Sequence, residues 1–240
     1  MPRESTDTPV WRLPGCRSQT VTSREFKERL SRRARRADLR LATPLVAALE
    51  EYYRLLSRWN AKINLTALPL GQPDDEAFDR LLVEPLAAAR YLPPGPLLVL
   101  DVGSGSGSPA IPLKLMRPDI ALRMVESKTR KAVFLTEAAR HLRLADVAVE
   151  AARFEQLLSR PDLHEAADIV TIRAVRVENR TLLTLQAFLK ASGQLFWFRG
   201  PLGPHQPEAP PPLRWVETHP LVDSLRSRLV ILGKDLVALR

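Results

Sequence analysis

Asp101, Gly103, Gly105 and Gly107 alternate along the segment LLVLDVGSGSGSPAIP, residues 97–112. They are the residues of this chain best suited to hold a small molecule. Glycine admits positive φ and, having no Cβ, lets a ligand pack against bare main chain. The spacing separates cofactor classes. A dinucleotide fingerprint needs G-x-G-x-x-G, and the sixth place counted from Gly103 is Ser108, so that pattern fails. D-x-G-x-G-x-G stands in its place. A plain strand-to-helix turn is the simpler alternative, but such turns seldom carry three glycines beside an acid. A second acid, Glu126, ends the apolar stretch Ala121–Val125, 19 residues after Gly107. In a nucleotide-binding β-α-β unit, a carboxylate at the tip of the second strand accepts hydrogen bonds from ribose hydroxyls at about 20 residues' separation. A solvated turn glutamate is the competing reading.

These residues need strands and helices to hold them. Leu97–Leu100 is a four-residue apolar run fit for a buried parallel strand that ends as the glycine loop begins. Ile111–Met116 continues as a helix stopped at Arg117-Pro118. Further strands are expected at Ala121–Val125, Val147–Val149, Asp168–Ile172 and Gly193–Phe198, with an antiparallel closing pair at Val216–Thr218 and Arg228–Leu232. Helices are expected at Thr129–Leu142, with Val133, Ala138 and Leu142 inward and Arg130, Lys131, Glu137 and Arg140 outward, and at Leu182–Leu189. Gly200–Pro212 is too rich in proline for regular structure. Upstream, Thr43-Pro44 reads as a cap and first turn. Leu45, Leu49, Tyr52, Leu56 and Trp59 then mark one face of a helix of roughly 16 residues. Residues 23–40 carry eight basic side chains against three acidic ones. This stretch forms a helix that either tracks phosphates or is a solvated face. Residues 1–22 show no periodicity and are expected to be unstructured.

At 240 residues and 45% hydrophobic content the chain can bury a substantial core. Its net charge of +9 points to a polyanionic partner, nucleic acid before membrane surface. No 18-residue apolar run and no leader pattern stand in the sequence, so a cytoplasmic, soluble protein is expected. The single cysteine, Cys16, excludes an internal disulfide and a cysteine-based metal site. His141, His164, His205 and His219 show no metal-binding spacing, so no metal is expected.

WNAKINLTAL (59–68), DVGSGSGSPAIPLKL (101–115), VESKTRKAVFL (125–135), ARFEQL (152–157) and IRAV (172–175) occur in an order and spacing that resembles a known family. It is the bacterial small-subunit rRNA guanine-N(7) methyltransferase family, also called glucose-inhibited division protein B. The resemblance runs from about Leu45 to about Gly200. It implies an α/β class I S-adenosylmethionine methyltransferase, with a Rossmann-like, seven-stranded, mostly parallel sheet and a small helical N-terminal region. The implied division is a basic extension over 1–40, a helical region over 41–92 and the methyltransferase domain over 93–240.

The resemblance also implies site roles. Asp101, Gly103, Gly105 and Gly107 would line S-adenosyl-L-methionine, Glu126 would take its ribose, and Arg153, Phe154 and Glu155 would flank the adenine. Arg130, Arg173 and Arg199 would contact RNA phosphate or the reacting site. The implied partner is ribosomal RNA or the small subunit, with no membrane, and the protein is taken as a monomer. Methylation of cytosine carbon-5 would call for a cysteine nucleophile, and Cys16 lies far from the loop. Amino-group methylation usually comes with Asn/Asp-Pro-Pro-aromatic, and that place reads Thr171-Ile172-Arg173-Ala174. Where the family commonly has His, Asp and Ser before the first strand, this chain has Leu81, Glu84 and Pro85. Ser108 and Ala110 replace an aromatic and a glycine after the loop. These departures keep an alternative open, a diverged member that binds RNA or cofactor without turnover.

Overall fold

The computed structural model describes residues 21–70, 74–173 and 177–235. Expectations for residues 1–20, Cys16 included, and for Ala174 and Val175 lie outside the described residues. Short apolar runs bounded by turn residues form the strands, and they make one seven-stranded sheet. In chain order these are β1 (Leu98–Val102), β2 (Ala121–Val125), β3 (Val147–Glu150), β4 (Ala167–Arg173), β5 (Leu189–Arg199), β6 (Leu213–Val222) and β7 (Ser227–Lys234). Their spatial order is β3-β2-β1-β4-β5-β7-β6. The first five are parallel, and β7 runs antiparallel between β5 and β6. The chain reverses its direction of winding between β1 and β4. Open α/β sheets bind ligands in the crevice beyond the strand carboxyl ends at such a point.

Three helices precede the sheet's glycine loop. α1 (Ser23–Arg36) starts at a capping box in which Thr22 and Glu25 satisfy each other's backbone N–H. It buries Phe26, Leu30 and Ala34, and the Phe26 ring meets Tyr53 and Phe78 at 5.5 and 5.1 Å. One of its basic side chains, Arg33, is buried too and forms an ion pair with buried Asp79. α2 (Thr43–Ile63) is capped at Ala42 rather than Thr43, whose side chain makes no capping bond, although Pro44 does occupy the first turn. It outlasts the apolar repeat because Asn60, Ala61, Lys62 and Ile63 stay helical until Asn64 turns left-handed at φ 50°. The third is a broken helix, α3 (Asp75–Phe78), a π turn (Asp79–Val83) and α4 (Glu84–Ala88).

β1 is covered on both faces. On one, these helices, α5 (Ala110–Met116) and α6 (Thr129–His141) form a continuous apolar core with Val99 and Leu122. On the other, Leu182 and Leu185 of α7 (Asn179–Leu185) and Phe188 pack on Leu100, Val102 and Val170. Two expectations need correction. β1 continues through Asp101 to Val102, so the acid is part of the strand. α6 buries Ala132, Phe134, Leu135 and Ala138, leaving Val133 52% exposed. The 4-and-3 spacing through Leu135 and Ala138 sets the helix phase, which turns Lys131 inward.

Candidate active site

A cavity of about 730 Å³ opens at the carboxyl ends of β1, β2, β4 and β5. Its floor is the glycine loop. Gly103, Gly105 and Gly107 all take left-handed φ of 74°, 51° and 85°. Val125 O accepts from the amides of Gly103 and Ser104 at 2.9 and 3.1 Å, tying the loop to β2. Buried Tyr52, from α2, donates its hydroxyl to Ser106 O at 2.8 Å. Burial pushes the Tyr52 phenol well above its usual range, so it stays a donor.

Glu126 closes this side. Its carboxylate accepts from the Gly105 amide at 2.9 Å and from the Lys128 amide at 2.8 Å, and it also lines the cavity. A Cβ at Gly105 would meet nothing nearer than 3.6 Å. The space above this glycine therefore belongs to the cavity. Gly103 also borders a second recess of about 260 Å³, formed with Val102, Val125, Arg153, Phe154 and Glu155. A smaller recess thus adjoins the larger cavity across one glycine.

The opposite wall is cationic. Arg173, at the end of β4, lines the cavity with a side chain only 10% exposed. Its Nη1 donates to Arg80 O at 2.5 Å and to Glu84 Oε2 at 3.1 Å, and its Nη2 donates to Ser108 O at 2.6 Å. The sequence explains why those acceptors are free. In the π turn the Glu84 amide reaches back to Asp79 O, and Pro85 has no N–H to give. Arg80 O and Leu81 O are left without those helical donors. Arg173 serves the first, and the Ser108 hydroxyl serves the second at 2.8 Å. Pro85 and Ser108, two departures from the family pattern, are therefore linked. Ala110, a third, is fully buried in α5, so its methyl faces protein rather than the cavity.

Of the residues expected from sequence, Gly103, Gly105, Glu126, Arg173 and Arg199 meet at the large cavity, and Arg153, Phe154 and Glu155 at the small one. Three stand apart from both. Asp101 lies buried beneath the loop, where Thr171 donates to its Oδ1 at 2.5 Å and Oδ2 has no partner. Burial pushes its carboxyl above the usual range. A Cβ at Gly107 would come 2.6 Å from Ile111 Cδ1, so this glycine serves packing. Arg130 is exposed on α6 and lines neither space. Sequence reasoning missed Lys131, one residue on, which does line the cavity and reaches Leu65 O at 3.4 Å. It also missed Arg80 and Trp197 on the same wall. Trp197 was findable, since residues i and i+2 of a strand share a face. The WNAKINLTAL segment adds Leu65, Thr66 and Leu68, held by the Asn60 side chain accepting from the Thr66 amide at 2.8 Å.

Among the described residues, no group of His, Cys, Asp and Glu could hold a metal, and no helix is long and apolar enough to cross a membrane. A family model described as rRNA small subunit methyltransferase G matches residues 45–208. Proteins named ribosomal RNA small subunit methyltransferase G are similar over most of the chain. The one from Xanthomonas euvesicatoria is 36% identical, covering 78% of this chain and 83% of its own. That from Xylella fastidiosa is 37% identical, covering 76% and 82%. Among solved structures, a SAM-dependent methyltransferase from Aquifex aeolicus superposes with a TM-score of 0.52 at 14% identity, over 74% of this chain and 97% of its own.

Proposed function

The chain belongs to the rRNA small subunit methyltransferase G family, and we propose that it transfers the methyl group of S-adenosylmethionine to nitrogen-7 of a guanine in small-subunit ribosomal RNA. One observation carries this reading. Left-handed glycines and a buried carboxylate floor a cavity whose far wall is built from Arg80, Arg173 and Arg199. Such a site suits a neutral nucleoside moiety on one side and a polyanion on the other.

The residues fit the cofactor. The space above Gly105 admits a ligand against main chain, Glu126 retains lone pairs for ribose hydroxyls, and the recess between Val102, Val125 and Phe154 offers apolar walls to a purine. Arg153 and Glu155 flank that recess. When bound, the sulfonium supplies an electrophilic methyl. Guanine nitrogen-7 already carries a free lone pair, so no side chain must remove a proton. The protein's task is alignment, and holding two reactants at near-attack distance contributes roughly 7–11 kcal/mol. In this reading Arg80 and Lys131 draw in RNA phosphates, while Arg173, whose nitrogens are engaged by backbone and Glu84, braces the wall. Arg130, exposed beside the site, reaches RNA from outside. The protein works in the cytoplasm, as a monomer, on ribosomal RNA or the small subunit.

The test is a labelled-methyl transfer assay on small subunits and on naked ribosomal RNA lacking the modification, followed by digestion to nucleosides. Label in 7-methylguanosine is the expected result. Label in another nucleoside, or none, would overturn the proposal.

A further inference from the structure

Arg199 on β5 and Arg228 on β7 are cross-strand partners at the end of the sheet, and like charges set opposite each other repel. The segment following β5 answers this with main chain. The carbonyls of Gly200, Pro201, Leu202 and Gly203 lie 3.3, 3.2, 3.0 and 3.1 Å from Arg228 Nη2. Those of Pro204 and Leu202 lie 3.3 and 3.4 Å from Nη1 and Nη2 of Arg199. The wrap is close. Gly203 takes φ +89°, and a Cβ there would come 2.1 Å from Arg199 Nη2. Each terminal nitrogen of Arg199 therefore turns one N–H to backbone, which holds the guanidinium in place and occupies two of its five donors.

Held this way, the guanidinium lies against an aromatic ring. The guanidinium carbon stands 4.3 Å from the centroid of the Trp197 ring, and both side chains line the cavity. We propose that the Arg199–Trp197 pair is the surface on which the target guanine stacks, and that Arg199 is not a phosphate contact. This rests on the methyl-transfer reading above. Unpaired RNA bases commonly stack on aromatic rings and guanidinium planes. The nitrogen-7 lone pair lies in the plane of the base, so a stacking surface that fixes the plane also fixes the line of attack. Charge moves as well. As the methyl passes from sulfur to nitrogen, the sulfonium becomes a neutral thioether and the base becomes a cation, with no proton moved. The Arg199 charge opposes the new cation and the Trp197 face attracts it, so the two members of the pair act on the product with opposite sign.

Three variants separate the readings, with S-adenosylmethionine affinity by calorimetry as the check on folding. RNA affinity is measured over a range of salt, and methyl transfer in single-turnover mode. Trp197→Ala should lower RNA affinity and the single-turnover rate about tenfold at an unchanged salt slope, and Trp197→Phe should recover most of both. Arg199→Lys, which keeps charge and loses the plane, should lose as much rate as Trp197→Ala. A Trp197→Ala protein within twofold of wild type in both measures would overturn the proposal. So would an Arg199→Lys protein indistinguishable from wild type in rate. Failure of the wild-type protein to transfer methyl would instead defeat the methyl-transfer reading. RNA affinity would then still judge the stacking surface, supported by a tenfold loss in Trp197→Ala and overturned by none.

Discussion

On the side of β1 and β2 the cavity meets main chain and one carboxylate, whereas on the side of β4 and β5 it meets arginines and an indole. The first wall is local. Its glycines, its strand end and Glu126 fall within 24 residues of each other, and its shape follows from backbone angles that glycine alone takes readily. The second wall is assembled at long range. Arg173 meets Arg80 and Glu84 across about ninety positions of sequence, so its geometry depends on the N-terminal helices being in place. The contrast predicts that damage to the first wall removes binding while leaving the fold, and that breaking the long-range anchorage of Arg173 in the second wall costs stability.

The largest expected effect is on the second wall. Arg173→Met takes from Glu84, which is completely buried, its hydrogen-bonded cation and leaves only Arg80 at 3.9 Å, and breaking a buried pair from one side costs about 3–5 kcal/mol. Urea denaturation should show this loss. Replacing Glu84 by Met in the same protein should restore much of it. On the first wall, Glu126→Gln keeps an acceptor for the Gly105 amide but sets an NH2 against the Lys128 amide, and should cost about 1–2 kcal/mol, while S-adenosylmethionine affinity falls about tenfold or more. Equal stability losses for the two would erase the contrast.

A sharper comparison lies inside the glycine loop. Gly107→Ala forces a left-handed φ on a side chain that would also strike Ile111. Strain and overpacking together should destabilise by about 2–4 kcal/mol. Gly105→Val puts its Cβ at ordinary contact distance, 3.6 Å from Gly103 O, so it should cost stability chiefly through strain, about 1–3 kcal/mol, yet abolish cofactor binding in calorimetry. Next in size is the joint between the walls. Ser108→Ala leaves Leu81 O without its donor and should cost about 1 kcal/mol by urea denaturation. In a Pro85→Ser background, where an amide N–H returns to the helix, the same change should cost measurably less.

How much of this was legible follows the same division. The strands, their order of appearance, and Gly103, Gly105 and Glu126 could be read because apolar runs and glycine spacing are properties of neighbouring residues. α6 was misphased at Val133, since Val133 and Phe134 are both apolar; the spacing through Leu135 and Ala138 puts Phe134 inside, where its ring lies 5.8 Å from Trp59. That slip set Lys131 outward, whereas Arg130 was singled out by its place in the motif that carries the resemblance. The basic stretch at 23–40 looked uniform, and nothing in it marks Arg33 as the one paired with Asp79, 46 residues away. The engagement of Arg173 by freed carbonyls was hidden for the same reason. A π turn is defined by hydrogen bonds, and side chains alone do not announce it.

Asp101 tests the smallest consequence of the contrast, because it touches neither wall and supports the loop from below. Its carboxyl is pushed up chiefly by burial, against the opposing pull of hydrogen bonds from Ser104 and Thr171. Between the unfolded value near 3.8 and the higher folded value, the native state binds more protons than the unfolded one. Stability from this group therefore falls as pH rises through that window and is greatest on the acid side. The exposed carboxylates Glu25, Asp119, Glu137, Asp162 and Glu165 are shifted downward by hydrogen bonds and ion pairs, and they act with the opposite sign. The wild-type curve alone cannot isolate Asp101. Its difference from Asp101→Asn can, since the amide oxygen still accepts from Thr171 and the other groups cancel. That difference should move in favour of the Asn variant as pH is raised from 3.8, measured by urea denaturation at each pH. A flat difference would mean that the Asp101 carboxylate is not penalised by its burial, and that its Oδ2 finds a partner in solution.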